Sequence, residues 1–122
     1  MLKRRKIVAV VDDDPSMLRA TENLLDAHGF ANKVFASAEE FLDRGAATQI
    51  DCLLLDIHLG GMSGIELRRQ LKASGSMLPV IFITALDDEA MRGEALKAGC
   101  VACLRKPFQA RQLIDAIENA VP

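Results

Sequence analysis

Tryptophan and tyrosine are absent from this chain, and its only aromatic residues are five Phe, 4% of 122 residues. That scarcity weakens any reading as a base-stacking or sugar-binding platform, where Phe alone would have to serve. Long apolar runs are missing too. None approaches the roughly 20 residues that span a bilayer, and 26% of the residues are charged. The start is basic, but no apolar segment follows it, so no secretory signal is read. Cysteine is sparse: three residues, an odd count, which fits a reducing cytoplasm. What is plentiful is apolar side chain. Hydrophobic residues make up 50% of the chain, which excludes the disordered class. The length suits one domain, residues 1–122, that folds without disulfides.

The net charge of −2 hides a split, because Lys3, Arg4, Arg5 and Lys6 are all basic and leave −6 on residues 7–122. Such a run reads as a solvated end. Nothing else forms a basic stripe, so no direct nucleic-acid contact is expected. Cys100 and Cys103 form a C-x-x-C pair. A redox pair usually sits at a helix N-terminus, where the thiol pKa falls. Here Ala98-Gly99 reads as a helix end and Val101 to Arg105 as a strand, on which residues three apart diverge. Two packed cysteines are the expectation.

Strand and helix signals alternate along the chain. Ile7 to Val11 is a β-branched run typical of a strand buried on both faces. Pro15-Ser16 opens a helix with Met17, Leu18, Thr21, Leu24 and Leu25 on one side, ending at His28-Gly29 with His28 as a cap partner. Lys33 to Phe35 is a second strand, and Ser37 with Glu40 is a capping box for a short helix toward Gly45. Cys52 to Leu55, closed by Asp56, is the third strand, followed by a loop with Gly60, Gly61 and Gly64. A helix from Ile65 to Ala73 turns Ile65, Leu67 and Leu71 inward. Pro79 to Thr84 is the fourth strand. Asp87, Asp88 and Glu89 place negative charge on the first turn of the fourth helix. Val101 to Leu104 is the fifth strand, and Gln109 to Ala120 the last helix. Five such alternations predict an α/β fold, a doubly wound parallel sheet with helices on both faces.

Open sheets of this kind bind ligands beyond the carboxyl ends of their strands. There the sequence places Asp12, Asp13 and Asp14, then Asp56, then Thr84-Ala85, then Lys106-Pro107. Carboxylates converging from two strand ends raise a pKa or recruit a cation. Oxygen ligands favour a hard ion such as Mg²⁺. Lys106 offers a point charge for a phosphoryl group and Thr84 a hydroxyl donor. Aspartate can act as a nucleophile and form an aspartyl phosphate. Asp14 reads as an exposed first-turn acid. Two His in unrelated elements give no zinc spacing.

With these residues in place, the chain resembles receiver domains of two-component response regulators from Ile7 to about Val121. The motifs are Asp12-Asp13; Asp56 followed by Leu59, Met62 and Gly64; Thr84-Ala85; and Lys106-Pro107-Phe108. The stretches Met62 to Leu67 and Ala95 to Phe108 are most similar to the nitrogen-fixation regulator branch, many members of which add a helix-turn-helix. The resemblance implies a flavodoxin-like sheet of strand order 2-1-3-4-5. It implies that Asp56 accepts a phosphoryl group from a histidine kinase or phosphotransfer protein. Asp12, Asp13, Asp56 and the backbone carbonyl of His58 would hold Mg²⁺. Lys106 and Thr84 would bind the phosphoryl oxygens, with Thr84 swinging on activation and a cis bond before Pro107. It implies a signalling switch with weak self-phosphorylation and autodephosphorylation, not a dedicated enzyme. An output protein or domain is implied as partner, and a homodimer could form through the helix 4/strand 5/helix 5 face. No output domain is expected within the 122 residues.

Several positions depart from that pattern. Gly60 stands where Pro is usual, which predicts a looser loop. Cys103 occupies the position of the switch aromatic, so the usual coupling of Thr and ring cannot operate. His58 and Leu86 occupy positions that tune phosphoryl lifetime. A phosphohydrolase of the haloacid-dehalogenase type is the alternative from another class, but it needs Asp where His58 stands and a substrate cap. A degenerate receiver is the third reading, opposed by the intact Asp12, Asp13, Asp56, Thr84 and Lys106.

Overall fold

The computed structural model describes residues 5–45, 49–85 and 89–121. The three continuous apolar runs form the middle of one sheet: β1 (Ile7–Val11), β3 (Cys52–Asp56) and β4 (Val80–Thr84). β3 and β4 are buried along their whole length. The edges, β2 (Ala31–Phe35) and β5 (Ala102–Arg105), are only partly covered. All pairings are parallel, in the order β2-β1-β3-β4-β5. Among the described residues four helical segments connect the strands, α1 (Pro15–Ala27), α2 (Ala38–Glu40, continuing into a π-helical turn Phe41–Gly45), α3 (Gly64–Ala73) and α4 (Glu89–Ala98), and α5 (Ala110–Ala120) follows β5. This is the doubly wound topology and the strand order that the sequence implied.

Strand side chains alternate between two cores, as a period of two requires. Ala9, Val11, Leu53, Leu55 and Phe82 pack with residues of the α2, α3 and α4 side, including Phe41, Leu67 and Ala95. Val8, Val10, Leu54, Ile81 and Ile83 pack with Leu25 of α1 and with Leu113, Ile114 and Ile117 of α5. Each fully buried side chain of this kind contributes roughly 1.5–3 kcal/mol of transfer free energy. The apolar runs therefore hold helices on both faces and fix the direction of every strand end.

Element boundaries differ from the sequence reading where local chemistry intervenes. Asp14 caps α1, its Oδ1 accepting from the Ser16 N–H at 2.9 Å, with Pro15 at the first helical position. It is therefore a cap and not merely a first-turn acid. His28 ends the helix, its Nδ1 at 3.0 Å from the Leu24 carbonyl. β2 begins at Ala31, two residues earlier than expected. β5 begins at Ala102, because the ladder with β4 starts at the Ile81–Ala102 pair and leaves Val101 54% exposed. Arg5 is not part of a free arm. Its guanidinium donates to the Gly29 and Phe30 carbonyls at 3.1 and 2.8 Å, beyond the end of α1. Lys3, Arg4, Leu86, Asp87 and Asp88 lie outside the described residues.

The expectation that Cys100 and Cys103 diverge is corrected. Cys100 precedes β5, so strand alternation does not govern it, and both thiols pack against the core beneath α2–α4. Burial pushes both thiols up. Cys52 is fully buried in β3, and burial pushes its thiol up to about 12. The native protein should therefore resist alkylation at Cys52 until it unfolds, as peptide mapping after iodoacetamide treatment would show. A thiol raised in the fold keeps its proton while the unfolded one loses it. The stability that Cys52 supports is thus present below pH 9 and declines as pH rises toward 12. The contribution to the slope approaches roughly 1.4 kcal/mol per pH unit. Cys52→Val should flatten that decline in urea titrations across this range.

Candidate functional site

The strand order reverses between β1 and β3, and the ends of these two strands open a crevice at the carboxyl edge of the sheet. Asp12 and Asp13 follow β1, and Asp56 is the last residue of β3. One carboxylate oxygen from each of Asp12, Asp13 and Asp56 lies within 4.8 Å of the others. Asp12 and Asp56 are buried, at 6% and 7% exposure, whereas Asp13 is exposed. Lys106, just past β5, reaches over the crevice and donates from Nζ to Asp12 Oδ2 and to Asp56 Oδ2, both at 3.0 Å. The Lys106–Pro107 bond is cis.

The backbone holds these groups in place. The Asp12 N–H donates to the Phe35 carbonyl at 3.1 Å, and the Ile57 N–H to the Ile83 carbonyl at 2.9 Å. The free oxygen of Asp12 accepts from the Asp14 N–H at 2.9 Å, and that of Asp56 from the His58 N–H at 2.9 Å. Burial pushes the Asp56 carboxyl above its ordinary value, against the His58 N–H and Lys106, which pull it down; the Asp12 charge adds to the rise. Burial alone would lower the Lys106 ammonium, but its bonds to Asp12 and Asp56 and their charges raise it. Three carboxylates against one ammonium leave two negative charges uncompensated.

Thr84 ends β4 with 8% exposure, and its hydroxyl lies 3.2 Å from His58 Nε2. Thus Asp12, Asp13, Asp56, Lys106, His58 and Thr84 stand together. Cys103 does not join them. It lies opposite Phe82 in the β4–β5 register and packs against the core, with Arg92 of α4 counteracting some of the effect of burial on its thiol. Leu86 falls outside the described residues.

Sequence reasoning missed one residue of this region, Glu39. Its Oε2 accepts from the Met62 N–H at 3.0 Å, and this bond holds the Glu39 carboxyl below the usual range. From the other side the Gly60 N–H donates to Asp13 Oδ2 at 3.2 Å. The Gly60-Gly61 loop is therefore tied by a hydrogen bond on each flank. Gly61 has φ +73, and a Cβ there would come within 2.8 Å of Glu39 Oε2. The missing side chain is what lets the carboxylate reach. The signal available in sequence was a pair of glycines opposite an acidic helix start. Glu39→Ala should speed amide hydrogen exchange at Met62 while leaving the β3 amides protected, as native-state exchange by NMR would resolve.

A family model for the response regulator receiver domain matches residues 8–118. The chain belongs to the receiver domain family of two-component response regulators. It is 36% identical over 121 residues to the response regulator protein TodT of Pseudomonas putida, covering 99% of this chain and 53% of TodT. It is 36% identical over 114 residues to the transcriptional regulatory protein FixJ of Bradyrhizobium diazoefficiens, covering 93% of this chain and 56% of FixJ. The crystal structure of FixJ-N matches with a TM-score of 0.90 and 36% identity, covering 97% of this chain and 94% of that one. The likeness to the nitrogen-fixation regulator branch therefore holds in sequence and in fold. The chain spans about half the length of the curated relatives it matches.

Within the receiver fold a groove of about 420 Å³ adjoins the carboxylate crevice. Met17, Thr21 and Leu24 of α1 form one wall, and Lys106, Pro107 and Phe108 the other. Among the described residues, no helix is long and apolar enough to cross a membrane.

Proposed function

We propose that this receiver is a phospho-accepting switch in which Asp56 takes a phosphoryl group from a phosphohistidine of a histidine kinase or phosphotransfer protein. The carrying observation is the convergence of a buried Asp56, Lys106 at 3.0 Å and two further carboxylates at one edge of the sheet. An Asp56 carboxylate oxygen forms the new O–P bond as the N–P bond of the donor breaks, and the imidazole leaves. Lys106 already touches Asp56, so its ammonium is placed to bind an oxygen of the arriving group. Asp12 shares Lys106 and holds it over the acceptor.

The donor set fits Mg²⁺, being all oxygen with two negative charges in excess. Asp12, Asp13, Asp56 and the His58 backbone carbonyl would hold it. When bound, it supplies charge neutralisation for the acceptor and the transferred group. The chain would act as a switch with weak self-phosphorylation and autodephosphorylation, working in the cytoplasm. The apolar groove between α1 and Phe108, which borders Lys106, suits the donor protein, since a helix seated there would bring its His toward Asp56. Intact-mass spectrometry after incubation with acetyl phosphate and Mg²⁺ tests the reading. One added phosphoryl group is expected. None, or addition independent of Mg²⁺, would refute it.

The output is proposed to be a changed affinity for a partner protein or domain. Leu96 of α4 and Val101 before β5 are exposed large hydrophobics, at 61% and 54%. They support a homodimer through the α4/β5/α5 face. Beryllofluoride should then increase the sedimentation coefficient of the native protein but not that of a Leu96→Glu/Val101→Glu variant.

A further inference from the structure

Thr84 is held in a way that separates its main chain from its side chain. Its carbonyl accepts from the Lys106 N–H at 2.7 Å, and β4 lies between β3 and β5 in the sheet. The main chain is therefore fixed. The hydroxyl meets the His58 ring at 3.2 Å. A Thr side chain has staggered settings about χ1, so its hydroxyl can change partner by a rotation alone. His58 reaches the acceptor with its other end, its main-chain N–H donating to Asp56 Oδ1 at 2.9 Å. One residue thus ties the acceptor carboxylate to the buried hydroxyl.

We propose that His58 is a positioning residue that acts through Thr84: its ring engages the Thr84 hydroxyl in the resting state, and a phosphoryl group on Asp56 competes with the ring for that hydroxyl. The inference rests on the phosphoryl-acceptor reading above. With the ring proton on Nδ1, Nε2 accepts from the Thr84 hydroxyl, and that hydroxyl's one proton cannot serve the imidazole and a phosphoryl oxygen together. Hydrogen bonds to an anion are roughly twice as strong as those between neutral groups, so the phosphoryl group wins the competition at a cost set by the ring. The His58 contact is only partly buried, and the released imidazole can turn to water. The ring therefore sets how far the equilibrium lies toward the phosphoryl-bound arrangement without blocking it.

The test is a double-mutant cycle on the binding of beryllofluoride, a phosphoryl mimic, read by calorimetry at saturating Mg²⁺. His58→Phe keeps a flat ring and removes the hydrogen bond. It should tighten binding roughly 2- to 10-fold, the factor that one net side-chain hydrogen bond is worth. His58→Gln offers a polar group at similar reach and should stay within about 2-fold of the wild type. In a Thr84→Val background, His58→Phe should change binding less than about 2-fold, because the partner hydroxyl is gone. If His58→Phe melts early, His58→Leu serves the same comparison. An equal effect in both backgrounds, no effect, or weaker binding from His58→Phe would overturn the proposal and leave the acceptor reading standing. Failure of the wild-type chain to bind beryllofluoride would overturn both.

Discussion

Asp56→Asn is expected to take up no phosphoryl group from acetyl phosphate and to unfold at a higher temperature than the wild type. The first half follows from the nucleophile, since an amide oxygen does not replace a carboxylate in forming an acyl phosphate. The second half follows from charge. Asp12 and Asp56 share the single ammonium of Lys106 while Asp13 stands close by. Burial is the largest influence on Asp56 and pushes its carboxyl up, so its ionised form is disfavoured in the fold. Asn keeps the oxygen that accepts from His58 and leaves Lys106 to Asp12 alone. A gain on the order of 1 kcal/mol is expected, the scale of relieving one partly buried like-charge contact. The sign with pH is fixed by the direction of the shift. A carboxyl raised in the fold supports stability below its unfolded value and loses that support as pH rises through the folded value. The two proteins should therefore melt together in acid and separate toward neutral pH. Added Mg²⁺ should narrow the gap, because it stabilises the wild type by its preferential binding to the folded site. A variant that melts lower at neutral pH would show that the Lys106 pairing outweighs the burial of Asp56.

The parts of this fold legible in sequence are those in which one physical demand dominates. β1, β3 and β4 are buried on both faces, so their runs tolerate no polar residue until the strand ends. That is why Asp12, Asp56 and Thr84 could be placed at the sheet edge. β2 and β5 are edge strands with mixed burial, and their starts were misjudged by two residues and by one. Cys100 and Cys103 were expected to diverge for the same reason: β5 begins after Cys100, so strand alternation does not reach it. The Glu39 bond was illegible because it joins residues 23 apart across a loop whose path depends on Gly61 at φ +73. The His58–Thr84 contact spans 26 residues and needs the β3–β4 register to be known first. Local propensity reports elements, whereas contacts between loops follow only after those elements are packed.

Gly64→Ala is expected to damage the fold and the acceptor together. Gly64 opens α3, and its N–H donates to the Ile57 carbonyl at 3.1 Å. The helix start is thereby drawn onto the end of β3. A Cβ at this position would collide with the Asp56 carbonyl oxygen and would lie 3.0 Å from the Ile57 Cα. Both obstacles are backbone, and β3 is clamped between β1 and β4, so neither can turn aside as a side chain would. The requirement is for close approach and not for an unusual backbone angle. Forcing a methyl into a packed site of this kind costs about 1–3 kcal/mol, occasionally more. Urea unfolding should show a lower midpoint with an unchanged slope. The strain falls on the residue that carries the acceptor carboxylate, so the damage should exceed what stability alone predicts. At a temperature where the variant is still fully folded, its rate of phosphoryl uptake should drop by at least about tenfold, the scale on which a misplaced reacting group is felt. Ala95→Gly, in α4 on the same core, provides the control: it should lower stability by a similar order without that drop, because it removes a buried methyl and forces nothing against the Asp56 backbone. Equal losses of uptake in the two variants would show that Gly64 serves the fold alone.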